Sequence, residues 1–300
     1  MKAYYFDHFV LPLPSGHRFP MEKYSLLRAQ VSQLEDVELV EAPLASDLDL
    51  GRAHDPTYIE RVNSGGLSNS ELREIGFPWS TLMVERSKRS AGATIQACLS
   101  ALTDQVAVNL AGGTHHAYAD KGSGFCVFND AVIAARHIQS HQPMPIAIID
   151  LDVHQGNGTA AICHGDPSIF TFSMHGEKNF PFRKELSNLD IGLNDGCTDH
   201  EYLETLSDAL TVLVTRFKPE LIIYLAGADP HEGDRLGRLK LTLDGLRQRD
   251  QLIFDFASKM QSPIAVAMAG GYGRVIQTTV EIHTQTIQLA LNHYKKEMGY

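Results

Sequence analysis

Residues 146–159 read IAIIDLDVHQGNGT. The first four are apolar and mostly β-branched, the pattern of a strand buried on both faces. The run then passes into Asp150, Asp152 and His154, followed by Gly156 and Gly158. A core strand gains nothing from two carboxylates and an imidazole, so the charge belongs to what lies beyond its carboxyl end. In an extended chain, alternate side chains point the same way. Asp150, Asp152 and His154 therefore face one side, and an Asp and a His two apart can grip one divalent ion.

Seven further short apolar runs have the same character: 4–9, 37–40, 106–111, 169–173, 190–193, 221–225 and 264–269. Between them, residues 80–102, 129–140, 199–217, 242–259 and 275–296 carry apolar residues at helical spacing, with Asp199 and Thr242 as expected N-caps. Strands alternating with helices predict an α/β fold with a mainly parallel sheet covered on both faces. Ligands of such sheets bind beyond the carboxyl ends of the strands. Residues 64–80 (SGGLSNSELREIGFPWS) read as a loop-rich stretch bordering that region.

The chain has 300 residues, 43% hydrophobic and 21% charged, an ordinary globular balance. With 26 basic and 36 acidic residues its net charge is −10, which argues against non-specific nucleic-acid binding. No apolar run has the length of a membrane span. MKAYYFDHFV lacks the pattern of a secretory signal. The four cysteines are scattered without a CxxC pair, so neither a disulfide framework nor a structural zinc site is expected, and a reducing cytoplasm is the default.

Four strands end in reactive chemistry. After 106–111 come His115 and His116; after 146–149 come Asp150, Asp152 and His154; after 221–225 comes Asp229; after 264–269 come two glycines and Tyr272. Asp152, His154 and Asp229 make an Asp–His–Asp set with a coordination position left open for water, a catalytic pattern. Its carboxylates suit Zn2+ or Fe2+. For DxH alone, a hydrogen-bonded turn is the plainer reading; Asp229 at an equivalent strand end weighs against it. His115 and His116 are suited to general acid–base work. Tyr272 is placed to donate its hydroxyl to a developing oxyanion. Gly122, Gly124, Phe125 and Cys126 read as the wall of a narrow channel.

Several features are set aside. His137 and His141 lie four apart on a helix and read as a solvated face. GNGT at 156–159 reads as the loop that turns the chain. Asp234 and Arg235 read as a structural ion pair supporting the Asp229 loop.

The motifs GGTHHAY…GFCVFND, IIDLDVHQGNGT, LAGADPHEGDRLG and AGGYGR, in this order, resemble those of zinc-dependent histone deacetylase-like proteins. The resemblance runs from HRFPMEKY at His17 to the final helix. HRFPMEKY, GFPWS and DLDVHQGNG look most like the class IV branch and its bacterial relatives. It implies the arginase/deacetylase fold, with about eight strands in one catalytic domain spanning 1–300. By motif, it implies zinc on Asp152, His154 and Asp229, with His115 and His116 as the tandem histidines and Asp150 bonded to His115. Tyr272 becomes the transition-state donor, and Phe125 and Phe180 the aromatic walls of an acyl-lysine channel alongside Gly124. A structural monovalent cation, K+, is implied at Asp150, Asp152, His154 and Ser173.

One position departs from the class I pattern: Asn157 stands where an Asp backs the second histidine. An amide orients His116 without charge, so a lower His116 pKa is expected. The implied reaction is removal of an acetyl or longer acyl group from lysine Nε in a protein or peptide. His116 takes the proton of the attacking water and later protonates the amine. A small acylated amine such as an acetylpolyamine is the alternative substrate; a silent acyl-lysine binder and an arginase-like enzyme rank below it. Acyl length, natural substrate and oligomeric state are open at this level.

Overall fold

The computed structural model describes residues 1–299. Eight strands form one sheet: β1 (Lys2–Tyr5), β2 (Glu38–Glu41), β3 (Val106–Asn109), β4 (Ile146–Asp150), β5 (Ile169–Gly176), β6 (Leu189–Leu193), β7 (Leu221–Leu225) and β8 (Ile264–Ala267). Their order is β2-β1-β3-β8-β7-β4-β5-β6, and every pairing is parallel. The helices are α1 (Glu22–Val31), α2 (Asp47–Leu50), α3 (Pro56–Ser64), α4 (Asn69–Ile75), α5 (Thr81–Asp104), α6 (Asp130–His141), α7 (Asn157–Cys163), α8 (Asp199–Arg216), α9 (Leu243–Met260) and α10 (Ile276–Met298).

The apolar runs are continuous because both faces of the sheet are covered. Ile146 and Ile148 of β4 point into one core with α5 and α6. Ala147 and Ile149 point into the other, with residues of α1, α8, α9 and α10. All five β4 residues are buried. Emptying such a site, as in Ile148→Ala, costs about 2–5 kcal/mol.

All eight expected strands are present, 221–225 with the bounds expected and the others with altered ends. β1 stops at Tyr5 rather than residue 9, because the chain turns there: Phe9 N–H donates to Phe6 O. β5 runs on to Gly176. The stretch 64–80 is less loop-like than expected, since α4 lies within it. Ser68 and Glu71 form a capping box at its start, and Gly76, at φ 87°, ends it.

Thr242 caps α9 as expected, accepting from Gly245 N–H. Asp199 does not cap α8; Thr198 holds that position. The Asp199 carboxylate instead accepts from Thr242 N–H and O–H at 2.9 and 2.6 Å, so it braces the next helix's cap. GNGT is not only a loop: Gly156 is the N-cap of α7. His137 is not on a solvated face, for its Nδ1 lies 2.7 Å from Asp49 Oδ1 of α2. His141 is exposed.

The central strands β3, β8, β7 and β4 are neighbours. These are the four whose carboxyl ends carry the reactive residues, so the sheet order gathers residues far apart in sequence.

Candidate metal centre and catalytic cleft

Beyond β4 the chain folds tightly around its own carboxylates. Asp150 Oδ1 accepts from Asp152 N–H at 3.1 Å, and Asp152 Oδ1 accepts from His154 N–H at 2.9 Å. Asp229, after β7, turns towards them and takes Val153 N–H on Oδ1 at 2.9 Å. The His154 Nδ1 atom lies 2.9 Å from Asp152 Oδ1 and 3.2 Å from Asp229 Oδ2. Among the described residues, Asp152, His154 and Asp229 form the one set able to hold a metal, with donor atoms within 4.8 Å of one another.

Two observations test whether a cation fits. Asp229 Oδ2 is buried and, apart from the His154 Nδ1 contact at 3.2 Å, makes no well-formed hydrogen bond. Burial and the neighbouring Asp152 charge also push the Asp229 pKa up to about 7, against the pull of His154. Two buried carboxylates side by side are costly without a counter-charge. A divalent ion would supply it and satisfy the orphaned oxygen.

The backbone approaches these carboxylates closely. Gly270 N–H donates to Asp152 Oδ2 at 2.7 Å. A Cβ at residue 270 would lie 2.1 Å from Asp229 Oδ2, so only glycine fits.

The tandem histidines sit across from this cluster, their ring centroids 4.1 Å apart. Their loop is held by Asp130, which accepts from Gly113 N–H, Thr114 N–H and Thr94 O–H at 3.0, 2.7 and 2.6 Å. His115 Nδ1 lies 2.6 Å from Asp150 Oδ2. Burial opposes its charge, yet Asp150 and Asp152 outweigh it and push the pKa up to about 9. His116 Nδ1 meets Asn157 Oδ1 at 2.6 Å. Burial, then the His115 and His154 charges, hold its pKa well below the usual 6.5, against the Asn157 hydrogen bond, which raises it. The His116 imidazole is therefore neutral, with one ring nitrogen able to accept a proton.

Tyr272 is buried. Burial and the Asp152 and Asp229 carboxylates drive its pKa well above 10, so the phenol stays protonated and able to donate. Asp234 and Arg235 do not pair with each other as expected. Both hold the Tyr272 peptide: Asp234 Oδ2 accepts from its N–H at 2.7 Å, and Arg235 Nε donates to its carbonyl at 2.8 Å.

Phe125 lines the cavity onto which His116, Asp152, His154 and Tyr272 open, and Phe180 packs behind His116. The Phe180 ring stands edge-on to His116 at 4.8 Å, and Phe125 lies 5.9 Å from Tyr272. Gly124, at φ 54°, lets Phe180 and His116 close in, since a Cβ there would lie 2.6 Å from the His116 ring and 3.1 Å from the Phe180 ring. Ser173 pairs with Asp150 across β5 and β4, and its hydroxyl lies 3.0 Å from His175 Nδ1. Gly122 and Cys126 lie beside Phe125 in the same turn.

Sequence reading missed the supports. Lys23 of α1 is buried and donates to the carbonyls of Ala269 and Gly271, both at 3.3 Å, beneath Tyr272. Arg249 of α9 donates to Gly227 O at 2.6 Å and Leu151 O at 3.3 Å, fixing the segments that carry Asp229 and Asp152. The adjacent RD pair at 249–250 inside an otherwise amphipathic helix was the one available signal.

Residues 17–287 match the model of the histone deacetylase domain. The chain is 42% identical to an uncharacterised protein of Picosynechococcus sp., covering 97% of this chain and 98% of that one. It is 32% identical to histone deacetylase 2 of Arabidopsis thaliana, covering 83% of this chain and 68% of the relative. The crystal structure of the HDA15 HD domain superposes with a TM-score of 0.82 at 18% identity, covering 97% of this chain and 91% of that one, which shows a shared fold.

Proposed function

The chain belongs to the histone deacetylase domain family and is a deacetylase-like hydrolase; from that premise we propose that it is a metal-dependent lysine deacylase acting through the cleft at the ends of β3, β8, β7 and β4. One observation carries the reading. Asp152 and His154 of the Asp152–His154–Asp229 cluster, the neutral His116 and the protonated Tyr272 line one cavity with Phe125.

Asp152, His154 and Asp229 would hold Zn2+, with Fe2+ the alternative that the same hard ligands accept. The bound ion supplies Lewis acidity towards the amide carbonyl and lowers the pKa of water. His116 accepts the proton of the attacking water and delivers it to the departing amine. His115, held by Asp150, supplies positive charge beside the reaction centre. Asn157 orients His116. Tyr272 donates to the oxyanion of the tetrahedral intermediate.

Phe125, Phe180 and Gly124 form the walls against which the lysyl methylenes lie. Asp150, Asp152, His154 and Ser173 would hold a structural K+ at the end of β4, as the resemblance implies. The whole chain, 1–300, acts as one catalytic domain. Four buried free cysteines suit a reducing cytoplasm. None of the described helices is long and apolar enough to cross a membrane.

The second reading is a small acylated amine as substrate. The net charge of −10 favours it, since a polyamine is a cation. Turnover of Nε-acyl-lysine peptides from acetyl to myristoyl, run beside acetylated polyamines, separates the two. Peptide hydrolysis with the higher kcat/KM supports the lysine reading. Hydrolysis of the polyamines alone overturns it.

A further inference from the structure

The hydrogen bonding behind His116 does not stop at Asn157. Asn157 Nδ2 donates to the Tyr118 hydroxyl at 2.9 Å. The Tyr118 hydroxyl donates in turn to Glu185 Oε1 at 3.1 Å. A chain of three bonds thus runs from the buried imidazole to a half-buried carboxylate on the rim.

Glu185 is held in place for this. Gln155, next to His154 and fully buried, clamps its backbone on both sides: Nε2 donates to Glu185 O at 2.8 Å and Oε1 accepts from Glu185 N–H at 2.9 Å. Gln155 Nε2 also donates to Asp190 Oδ1 at 2.8 Å. Lys184, the preceding residue, donates to the carbonyls of Glu177, Asn179 and Pro181. The segment that brings Phe180 to the channel therefore also delivers Glu185. At the other end His54 Nδ1 lies 2.9 Å from Tyr118 O and fixes that backbone.

The direction of the chain follows from its last member. A carboxylate only accepts hydrogen bonds. Burial raises the Tyr118 pKa, so its hydroxyl keeps its proton and gives it to Glu185. The hydroxyl oxygen is then the acceptor for Asn157 Nδ2. That turns Asn157 Oδ1 towards His116, and an amide oxygen also only accepts. His116 must carry its proton on Nδ1, which leaves Nε2 free as a base. Without the carboxylate, Asn157 and the hydroxyl have no fixed polarity, because both can be reversed at little cost.

We propose that Tyr118 and Glu185 are positioning residues that set the tautomer of His116 through Asn157, with Glu185 fixing the direction of the whole chain. The proposal rests on the reading of His116 as the general base. A carboxylate at this position, as in the class I pattern, only accepts and so sets the tautomer by itself; Asn157, with two faces, needs the extra partners.

The test uses 15N-histidine-labelled, zinc-loaded protein, with the His116 ring signals assigned by their loss in His116→Gln. Glu185→Lys replaces an acceptor with a donor and reverses the chain. It is expected to move the His116 proton from Nδ1 to Nε2 and to lower kcat by about 10- to 100-fold with KM unchanged. Tyr118→Phe cuts the chain. In that background the further change Glu185→Lys is expected to alter neither tautomer nor kcat, a non-additivity that a through-space charge effect would not give. An unchanged tautomer in Glu185→Lys, or strictly additive effects in the double variant, overturns the proposal. A reversed tautomer with full kcat sustains the relay and instead removes His116 from the role of base.

Discussion

The amide of Gly270 donates to Asp152 Oδ2 at 2.7 Å, fastening the turn after β8 to a carboxylate just beyond β4. The same glycine passes so close to Asp229 that a methyl group would overlap Oδ2. Gly270→Ala is therefore expected to spread the two carboxylates. Metal affinity, read by competition with a chromogenic chelator, should fall about 10- to 100-fold. Wild-type affinity in this variant would show that the close approach does not shape the cluster.

Tyr272 is held by its backbone through Asp234 and Arg235, so its hydroxyl can be removed without releasing the loop. Tyr272→Phe should lower kcat about 10²–10³-fold, with KM and bound metal unchanged. Steady-state kinetics beside metal analysis checks this. A variant of full kcat would place the oxyanion donor elsewhere.

His54 makes stability depend on pH. It is 3% exposed, with Nδ1 at the Tyr118 carbonyl and Nε2 accepting from Asn129 N–H at 2.8 Å. Burial pushes its pKa down to about 4 from the usual 6.5. Between those two values the unfolded chain binds a proton that the folded protein refuses. Stability therefore falls as pH drops from 6.5 towards 4, at up to about 1.4 kcal/mol per pH unit, and His54 contributes no slope above that window. Urea unfolding at pH 7 and pH 5 should show a smaller loss in His54→Gln than in wild type. The same loss in both would contradict the assignment.

Arg249 and Asp250 form a fully buried pair whose Nη2–Oδ1 distance is 2.8 Å. Tyr224 and Thr286 donate their hydroxyls to the Asp250 carboxylate, each at 2.5 Å. Removing the cation leaves that carboxylate uncompensated, so Arg249→Met should cost about 3–5 kcal/mol. The double change Arg249→Met with Asp250→Leu should recover part of it. Denaturant midpoints give both values; a single variant as stable as wild type would show that the pair is dispensable.

The central strands were legible because they are buried on both faces and so read as unbroken apolar runs, as Ile146–Ile149 does; the edge strands β2 and β6 are only partly buried and show shorter runs. The reactive ends were legible because Asp152, His154, Asp229 and Tyr272 stand directly after such runs. α4 was legible in principle: Ser68, Glu71 and Gly76 mark its two ends, but its seven residues carry too few apolar positions to display a period. The supports were not legible. Asp130, Lys23, Arg249 and Glu185 act across separations of tens to hundreds of residues, and no spacing within the chain encodes which carbonyl or side chain they will meet. Asp234 and Arg235 were read as a pair because they are adjacent; the fold gives both to Tyr272 instead.

On the reading proposed above, one metal held by Asp152, His154 and Asp229 makes this cleft an amide hydrolase. The direct test strips the protein of metal and titrates Zn2+ back while following deacetylation of an Nε-acetyl-lysine peptide, with Asp229→Asn in parallel. The account predicts no turnover in the stripped protein, recovery complete at about one equivalent, and no recovery in Asp229→Asn. Turnover that persists without metal, or that returns fully in Asp229→Asn, would contradict it.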